Sequence, residues 1–563
     1  MDTVSPPMYR WNTIPWRKLE RAVFKLQKRI FQASQRGDVR AIHRLQRLLI
    51  HSSSAKYLAV RRVTQDNQGK KTAGVDGVKS LTPEARLKLV NNLKLKPSGK
   101  ATRRVWIPKP GKNEKRPLGI PTMYDRALQA LVKMAMEPEW EAKFEAKSYG
   151  FRPGRSAHDA IQAIFSSIKQ CPKYVLDADI SKCFDRINHS KLLQKTETFP
   201  KLKRILSQWL KAGVKDGNNW LTTEEGTPQG GVISPLLANI ALHGLETAVR
   251  AAIPGSITVN GKRQHNWKPE VVRYADDFVI LHRDVQVLKK CQQVAQEWLK
   301  QIGLEINWEK TQIVHSLESG KGYQTGFDFL GFEIRQYHTD KHNSARNYQN
   351  EPLGFKTIIK PSFQAIQRHY EHLATIVDQH RSTPQYVLIQ RLNSVITGWT
   401  NYYRTACSGK TFRKLDELIY KKLLAWAIRR HQNIGIREVV NKYWRQIGKA
   451  KWTFATTEGL YLGRHSATPK IRHLIVKGSS SPFDGNWQYW TTRLRKHPEI
   501  NPKVAKLLKL QKGVCVHCGL LFKSGDLIEV HHQDGCTSNN HVNNLMALHR
   551  HCHDQIHGQK VYK

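Results

Sequence analysis

Val271-Val272-Arg273-Tyr274-Ala275-Asp276-Asp277-Phe278-Val279-Ile280-Leu281 is the stretch that decides how the rest of this chain is read. Apolar, β-branched and aromatic residues flank a short polar break, which predicts two strands joined by a tight turn. The strands would fix the direction of two adjacent carboxylates, Asp276 and Asp277. Like charges that close repel, so a pair held away from water needs a cation. Mg²⁺ is the hard cation that carboxylate and phosphate oxygens accept. Two such ions about 3.5–4 Å apart stabilise both oxygens of an in-line phosphoryl displacement. An acidic surface hairpin is the plain alternative for these residues in isolation, so the neighbouring sequence has to decide.

The chain has 563 residues, with 92 Lys and Arg against 45 Asp and Glu, a formal net charge of +47. That length accommodates about three or four domains. So large an excess of one sign destabilises a compact fold unless a polyanion neutralises it, and nucleic acid is the obvious partner. Cys171, Cys183, Cys291 and Cys407 are scattered, whereas Cys515, Cys518, Cys536 and Cys552 crowd the C-terminus. This uneven distribution points to reduced thiols and a metal site, not a disulfide framework. The N-terminus carries no apolar signal core and no run of 18 apolar residues exists, so the expectation is a cytoplasmic protein with no membrane partner.

Working outward, residues 1–69 read as a basic helical extension, with Trp16, Leu19, Val23, Leu26 and Ile30 at three- and four-residue steps. Residues 103–121 read as two short strands and a basic turn. It carries Lys109 and Arg116, the latter suited to gripping a triphosphate in bidentate fashion. The loop Ser148–Ser156 presents two more arginines, Arg152 and Arg155. An apolar strand then ends in Asp179, placed to reach the same metals as Asp276, and Phe184 lies five residues on, where a ring sits beneath a nucleotide sugar. Gln229 follows in the glycine-rich loop 226–235, which lets backbone approach a ligand closely. Residues 338–350 are polar and irregular and read as a linker.

The order of these pieces matters more than any one of them. Asp179 with Phe184, then Pro228-Gln229-Gly230, then Tyr274-Ala275-Asp276-Asp277, then Lys310-Thr311, then Phe329-Leu330-Gly331-Phe332 resembles the series found in reverse transcriptases. The loops at 107–121, 149–156 and 226–235 resemble the group II intron-encoded class, over residues 70 to 335. The resemblance implies that Asp179, Asp276 and Asp277 hold Mg²⁺. It implies that Phe184 excludes a ribose 2′-hydroxyl and that Lys109, Arg116 and Gln229 contact the incoming nucleotide. Residues 390–404 resemble the maturase domain of that family, which implies binding of group II intron RNA. Aromatics interleave with the basic residues there (Trp399, Tyr402, Tyr403, Tyr420, Trp426), most of them expected to be core. Residues 451–505 are basic and Trp-rich, and Gly478-Ser479-Ser480-Ser481-Pro482 reads as a flexible break.

The last stretch superposes two chemistries. Cys515, Cys518, His549 and Cys552 suit tetrahedral Zn²⁺, with Cys536 as a competing fourth ligand. His553 and His557 stand at i and i+4 on one helix face. With His531 they would hold a divalent ion, leaving His532 as general base. This resembles the HNH, or ββα-metal, nucleases, in which His532, Asn544 and His553 fill the three named places and Mg²⁺ is the expected ion. Two positions depart from that pattern: His531 stands where Asp is commoner, and His549 where a cysteine is usual.

The expected fold is α+β and multidomain: a right-hand polymerase with an antiparallel palm sheet, a helical thumb and a small zinc-stapled ββα-metal domain. The expected domains are 1–69, fingers and palm 70–350, thumb or maturase domain 351–450, a DNA-binding region 451–505, and an endonuclease domain 506–563. The expected protein copies intron RNA into DNA, aids its splicing and nicks double-stranded target DNA. Its partners are dNTPs and nucleic acid, and a homodimer is left open. A retroplasmid or stand-alone reverse transcriptase and a non-catalytic RNA chaperone are the other readings.

Overall fold

The computed structural model describes residues 10–96, 99–108, 114–259, 262–320, 322–431, 433–537 and 539–560. At its centre is a five-stranded sheet in the order Gln324–Thr325, Gln312–His315, Tyr174–Asp179, Asp277–His282, Glu270–Tyr274. Phe278, Val279, Ile280 and Leu281 have no exposed surface. The Asp277–His282 strand is therefore covered on both faces, which is why it reads as an unbroken apolar run. On one face Phe278 and Ile280 pack with Leu236, Leu237, Leu288 and Leu299 from the Ser234–Leu242 and Val285–Lys300 helices. On the other, Val279 and Leu281 pack with Ile161 and Ile164 of the Ala157–Ile168 helix.

A second sheet, in the order Lys115–Ile120, Thr102–Pro108, Val214–Asp216, Asn219–Leu221, stands beside it. The predicted basic hairpin is present, with Ile107 opposite Arg116. The N-terminal helices Trp16–Gln35, Val39–His51 and Ser53–Arg61 pack their apolar stripes on the Met123–Lys143 helix. Buried Gln46 donates to Glu139 at 2.7 Å across that contact. This basic segment is part of the main core, not an extension from it.

The polar stretch expected as a linker is the loop of a hairpin. Phe332–His338 pairs with Phe355–Pro361 from Phe332 opposite Pro361 to His338 opposite Phe355. Its polar residues serve the turn itself: Asn347 Oδ1 accepts from the backbone of Gln349 and Glu351. A division at 350 would cut that hairpin, so the next unit begins after Pro361. There Ser362 caps the Phe363–Gln379 helix by accepting from Ala365. The helices Gln385–Tyr403, Gly409–Arg429 and Ile436–Tyr443 complete a bundle around Leu373, Leu388, Leu392, Leu423 and Trp426. A hairpin, Trp444–Ile447 with Ala450–Phe454, closes it.

Residues 478–482 are tied down. The carbonyls of Gly478 and Ser480 accept from Arg155, and Ser481 is fully buried. The reason lies outside the segment. Buried Asp159 takes Arg493 Nη2 at 2.6 Å, His473 Nε2 at 3.0 Å and the Val476 amide at 2.9 Å. One carboxylate on the Ala157–Ile168 helix thus anchors the whole 473–493 region.

At the C-terminus, Ile528–His532 pairs with Leu545–His549, and the Arg550–Lys560 helix follows. The order is ββα: His549 ends the second strand, and Cys552, His553 and His557 lie on the helix. The unit docks on the N-terminal helices: His551 meets Trp16 edge-on at 6.0 Å, and Gln65 donates to Asp554 at 2.8 Å.

Candidate active site and candidate metal centre

Strand register builds the acidic site. Asp179 ends one strand directly opposite Asp277, and Tyr274 opposite Asp277 closes the hairpin, leaving Ala275 and Asp276 as its turn. Ala275 has φ 59°, the left-handed region an alanine enters only under constraint. The constraint is the loop 148–155. The Tyr149 amide donates to Arg273 O at 2.9 Å, Arg273 donates back to Lys147 O at 3.0 Å, and Asn239 reaches Gly150 O at 2.8 Å. Gly150 lies so close to Ala275 that a side chain there would collide with the turn backbone. Arg273 braces the underside, donating to Ala275 O and Asn239 Oδ1, both at 3.1 Å.

Burial pushes the Asp277 carboxyl up to about 7, with repulsion from Asp276, Asp179 and Asp177 adding to it. Burial also raises Asp276, as does the Asp179 charge, against a lowering pull from Arg116. Asp177, two residues before Asp179, is raised to about 7 by burial. Among the described residues one cation is paired with these carboxylates: Lys310 Nζ sits 2.6 Å from Asp179 Oδ2. Asn307 holds the same aspartate, its amide donating to Asp179 O at 2.8 Å. Several carboxylates with too little local positive charge are the donor set a hard divalent cation fits.

Arg116 is exposed on its strand with its charge felt at Asp276. Phe184 is half-buried and meets Phe151 edge-on at 6.0 Å. Gln229 lies beside it, its Nε2 donating to Asp185 at 3.4 Å, because the Thr227 amide donates to Phe184 O at 2.5 Å. Lys109 lies outside the described residues. Arg152 and Arg155 are not presented to a ligand. Arg152 is buried in a two-pronged pair with Glu141 at 2.8 and 3.0 Å, and Arg155 donates to Ala146 O at 2.8 Å.

In the C-terminal unit, one ligand atom from each of Cys515, Cys518, His549 and Cys552 lies within 4.8 Å of all the others. Hydrogen bonds from the Cys518 and Cys552 thiols pull Cys515 below the usual thiol range. His549 turns Nδ1 to Cys518 at 3.4 Å and Nε2 to Asp526 at 3.3 Å. A carboxylate behind a metal-facing imidazole fixes its ring and tautomer, and no spacing in the sequence signals Asp526. Cys536 is exposed and stands apart from this group. His531, His553 and His557 form a second group within 4.8 Å. Their rings are 4.4 to 5.4 Å apart. On the neighbouring residue, buried His532 Nε2 has no hydrogen-bond partner among the described residues. Asn544 fixes the turn after it, donating to Asp534 Oδ1 and Asn539 O, both at 2.9 Å.

Paired carboxylates at a sheet tip, a glycine-rich loop beside them and a basic hairpin in front define a polymerase-type centre. The comparisons agree. A reverse transcriptase (RNA-dependent DNA polymerase) family matches residues 107–334, the N-terminal domain of reverse transcriptase matches 11–93, and the group II intron maturase-specific domain matches 366–444. The chain is 33% identical to Protein YkfC of Escherichia coli strain K12 over 354 residues, 54% of this chain and 90% of that protein. It is 30% identical to the group II intron-encoded protein LtrA of Lactococcus lactis subsp. cremoris over 371 residues, 55% of this chain and 59% of that one. It is 24% identical to the putative COX1/OXI3 intron 2 protein of Saccharomyces cerevisiae over 79% of this chain and 56% of that protein. The chain belongs to the group II intron reverse transcriptase and maturase family. The three matched domains end at residue 444, so the C-terminal unit stands on its own geometry. No helix among the described residues is long and apolar enough to cross a membrane.

Proposed function

We propose that this chain is an RNA-directed DNA polymerase that binds group II intron RNA, aids its splicing and carries a metal-dependent DNA endonuclease at its C-terminus. The observation that carries the polymerase reading is the register of Asp179 against Asp277 with Asp276 in the adjoining turn. Asp179, Asp276 and Asp277 would hold Mg²⁺, which when bound lowers the pKa of a primer 3′-hydroxyl and stabilises departing pyrophosphate. Arg116, with Lys109, neutralises the triphosphate of an incoming dNTP. Phe184 closes the space under its sugar, and Gln229 holds its edge. Lys310, paired with Asp179 at 2.6 Å, would give that carboxylate up to the ion. Primer extension on an RNA template tests this: Asp276→Asn and Asp179→Asn each abolish DNA synthesis. Synthesis at the unaltered rate by either variant refutes the assignment and favours a non-catalytic RNA-binding role.

The endonuclease reading rests on two separated donor groups in a ββα unit. Cys515, Cys518, His549 and Cys552 would hold a structural Zn²⁺. His531, His553 and His557 would hold the catalytic divalent ion, Mg²⁺ being the expected one. His532, unpartnered at Nε2, is the base that takes a proton from water, and Asn544 keeps its turn in place. Target double-stranded DNA is the substrate, and the nick supplies the 3′-hydroxyl for copying. A plasmid-nicking assay decides it: His532→Ala loses nicking and keeps its zinc, whereas a purely structural module nicks in neither form. The work would be cytoplasmic, on a ribonucleoprotein.

A further inference from the structure

Of the five rings at 399–426 that interleave with basic residues, four are committed to the fold. Trp399 stacks on His369 at 4.3 Å and 8°. Tyr402 and Tyr403 donate to Leu330 O and Gly331 O, and Trp426 donates to His380 O. Tyr420 is left, 37% exposed, its ring edge-on to buried Trp444 at 5.5 Å. Trp452, 57% exposed, joins it from the Ala450–Phe454 strand. Both rings line an open cavity of about 250 Å³ floored by Leu423, Trp444, Phe454 and Leu462. Both also line a second of about 380 Å³ with Arg437 and Val440. They stand as a partition between two adjoining recesses.

The charges around these recesses select the occupant. Asp416 is taken up by His465, from its amide at 2.7 Å and Nδ1 at 2.8 Å, and by the Ser466 amide at 3.0 Å. Glu417 is paired with Lys421 at 2.6 Å. The hairpin from Trp444 to Trp452 carries Arg445, Lys449 and Lys451 and no acid. Arg464 donates to Trp452 O at 3.0 Å and fixes the strand that bears the ring. Exposed rings on ordered elements, with Arg437 and Arg464 lining the recesses beside them and a basic hairpin adjoining, fit a polyanion with flat apolar faces. A duplex keeps its bases stacked inside and offers no face to insert; an unpaired strand does.

We infer that Tyr420 and Trp452 form a stacking cleft for unpaired nucleotides of an RNA, with Arg437 and Arg464 at its edge to meet the phosphates. The choice of RNA over single-stranded DNA rests on the maturase reading above. The test uses the full-length protein with a single-stranded RNA oligonucleotide bearing 5-iodouridine, a single-stranded DNA of the same sequence, and a blunt RNA duplex of equal length. Trp452→Ala and Tyr420→Ala each weaken single-strand binding about ten-fold, the size of one base stack. Trp452→Phe restores most of it, duplex binding is unchanged, and ultraviolet cross-links map to Trp452 or Tyr420. Undiminished single-strand binding in both alanine variants overturns the cleft. So does an equal loss on the duplex, or a loss confined to single-stranded DNA. Failure of the unaltered protein to bind any RNA overturns the maturase reading itself.

Discussion

The acidic centre and the C-terminal metal centre are assembled in opposite ways. Asp179 and Asp277 lie far apart along the chain and meet because two buried strands pair in one register. A one-residue slip would turn every side chain of those strands over, so core burial itself specifies the site. The cysteine–histidine groups come from a short segment whose own core is Leu507, Leu508, Phe522, Leu545, Ala547 and Leu548, with two of the thiols. So small a core does not hold a fold by itself, and a Zn²⁺ held as proposed would do much of the holding. In the first region the fold creates the site; in the second, on the proposed reading, a bound metal would complete the fold.

The largest test of this contrast separates chemistry from folding. Asp277→Asn removes a proposed metal ligand from a scaffold that should not need it. DNA synthesis in a primer-extension assay falls by about 10²–10³-fold or more, while the melting temperature holds or rises. A melting temperature that dropped with activity would mean the carboxylate supports the fold, and the contrast would fail.

Chelation gives the converse. Stripping Zn²⁺ should leave hydrogen-exchange protection in Val271–Leu281 intact and abolish it across residues 513–557, because structural zinc supplies folding energy outright. Cys552→Ser should do the same without chelator. Protection that survives in the C-terminal unit would credit its docking on Trp16 and Gln65 with holding it, and would join the two regions into one cooperative body.

Much of this was legible before any coordinates. The apolar runs around Asp276 gave the hairpin, and the Cys and His spacings gave both donor groups. What escaped was partnership. Nothing in Ser148–Ser156 says that Glu141 will bury Arg152, so a basic loop read as ligand-facing turns out to brace the Ala275 turn. Polarity at 338–350 looks the same in a linker as in a hairpin loop, and only the pairing of Phe332–His338 with Phe355–Pro361 tells them apart. Asp159 is likewise an unremarked acid until Arg493 and His473 arrive from far along the chain.

That aspartate marks where the Ala157–Ile168 helix, packed on the central sheet, grips the region leading to the C-terminal unit. Asp159→Asn leaves Arg493 buried without its counter-charge and should cost about 3–5 kcal/mol in urea unfolding. A cost under about 1 kcal/mol would mean that the two regions are joined elsewhere.

The same junction sets a pH dependence. Burial pushes His158 down to about 4 and His497 to about 3, among His473, Asp159, Arg404, Arg493 and Glu499. Both are neutral when folded and charge near 6.5 when unfolded, so the unfolded state binds more protons below that pH. Stability is therefore full above pH 6.5 and falls by roughly 1.4 kcal/mol per unit for each histidine as the solution is acidified toward 4. His158→Gln should flatten that slope by about half; an unchanged slope would place the acid sensitivity in another part of the molecule.

The smallest expected effect probes whether the acidic turn is held by its surroundings. Ala275 sits at φ 59° because Gly150, Arg273 and Asn239 fix the backbone on either side. Left-handed alanine costs roughly 1–2 kcal/mol, and glycine removes that cost while adding freedom to the unfolded chain. Ala275→Gly should then stabilise the fold by about 0.5–1 kcal/mol and leave primer extension within about two-fold, because the brace, not the alanine, aims Asp276. A large loss of synthesis with unchanged stability would show that the alanine methyl itself positions the carboxylates, and the scaffold would no longer suffice to explain the site.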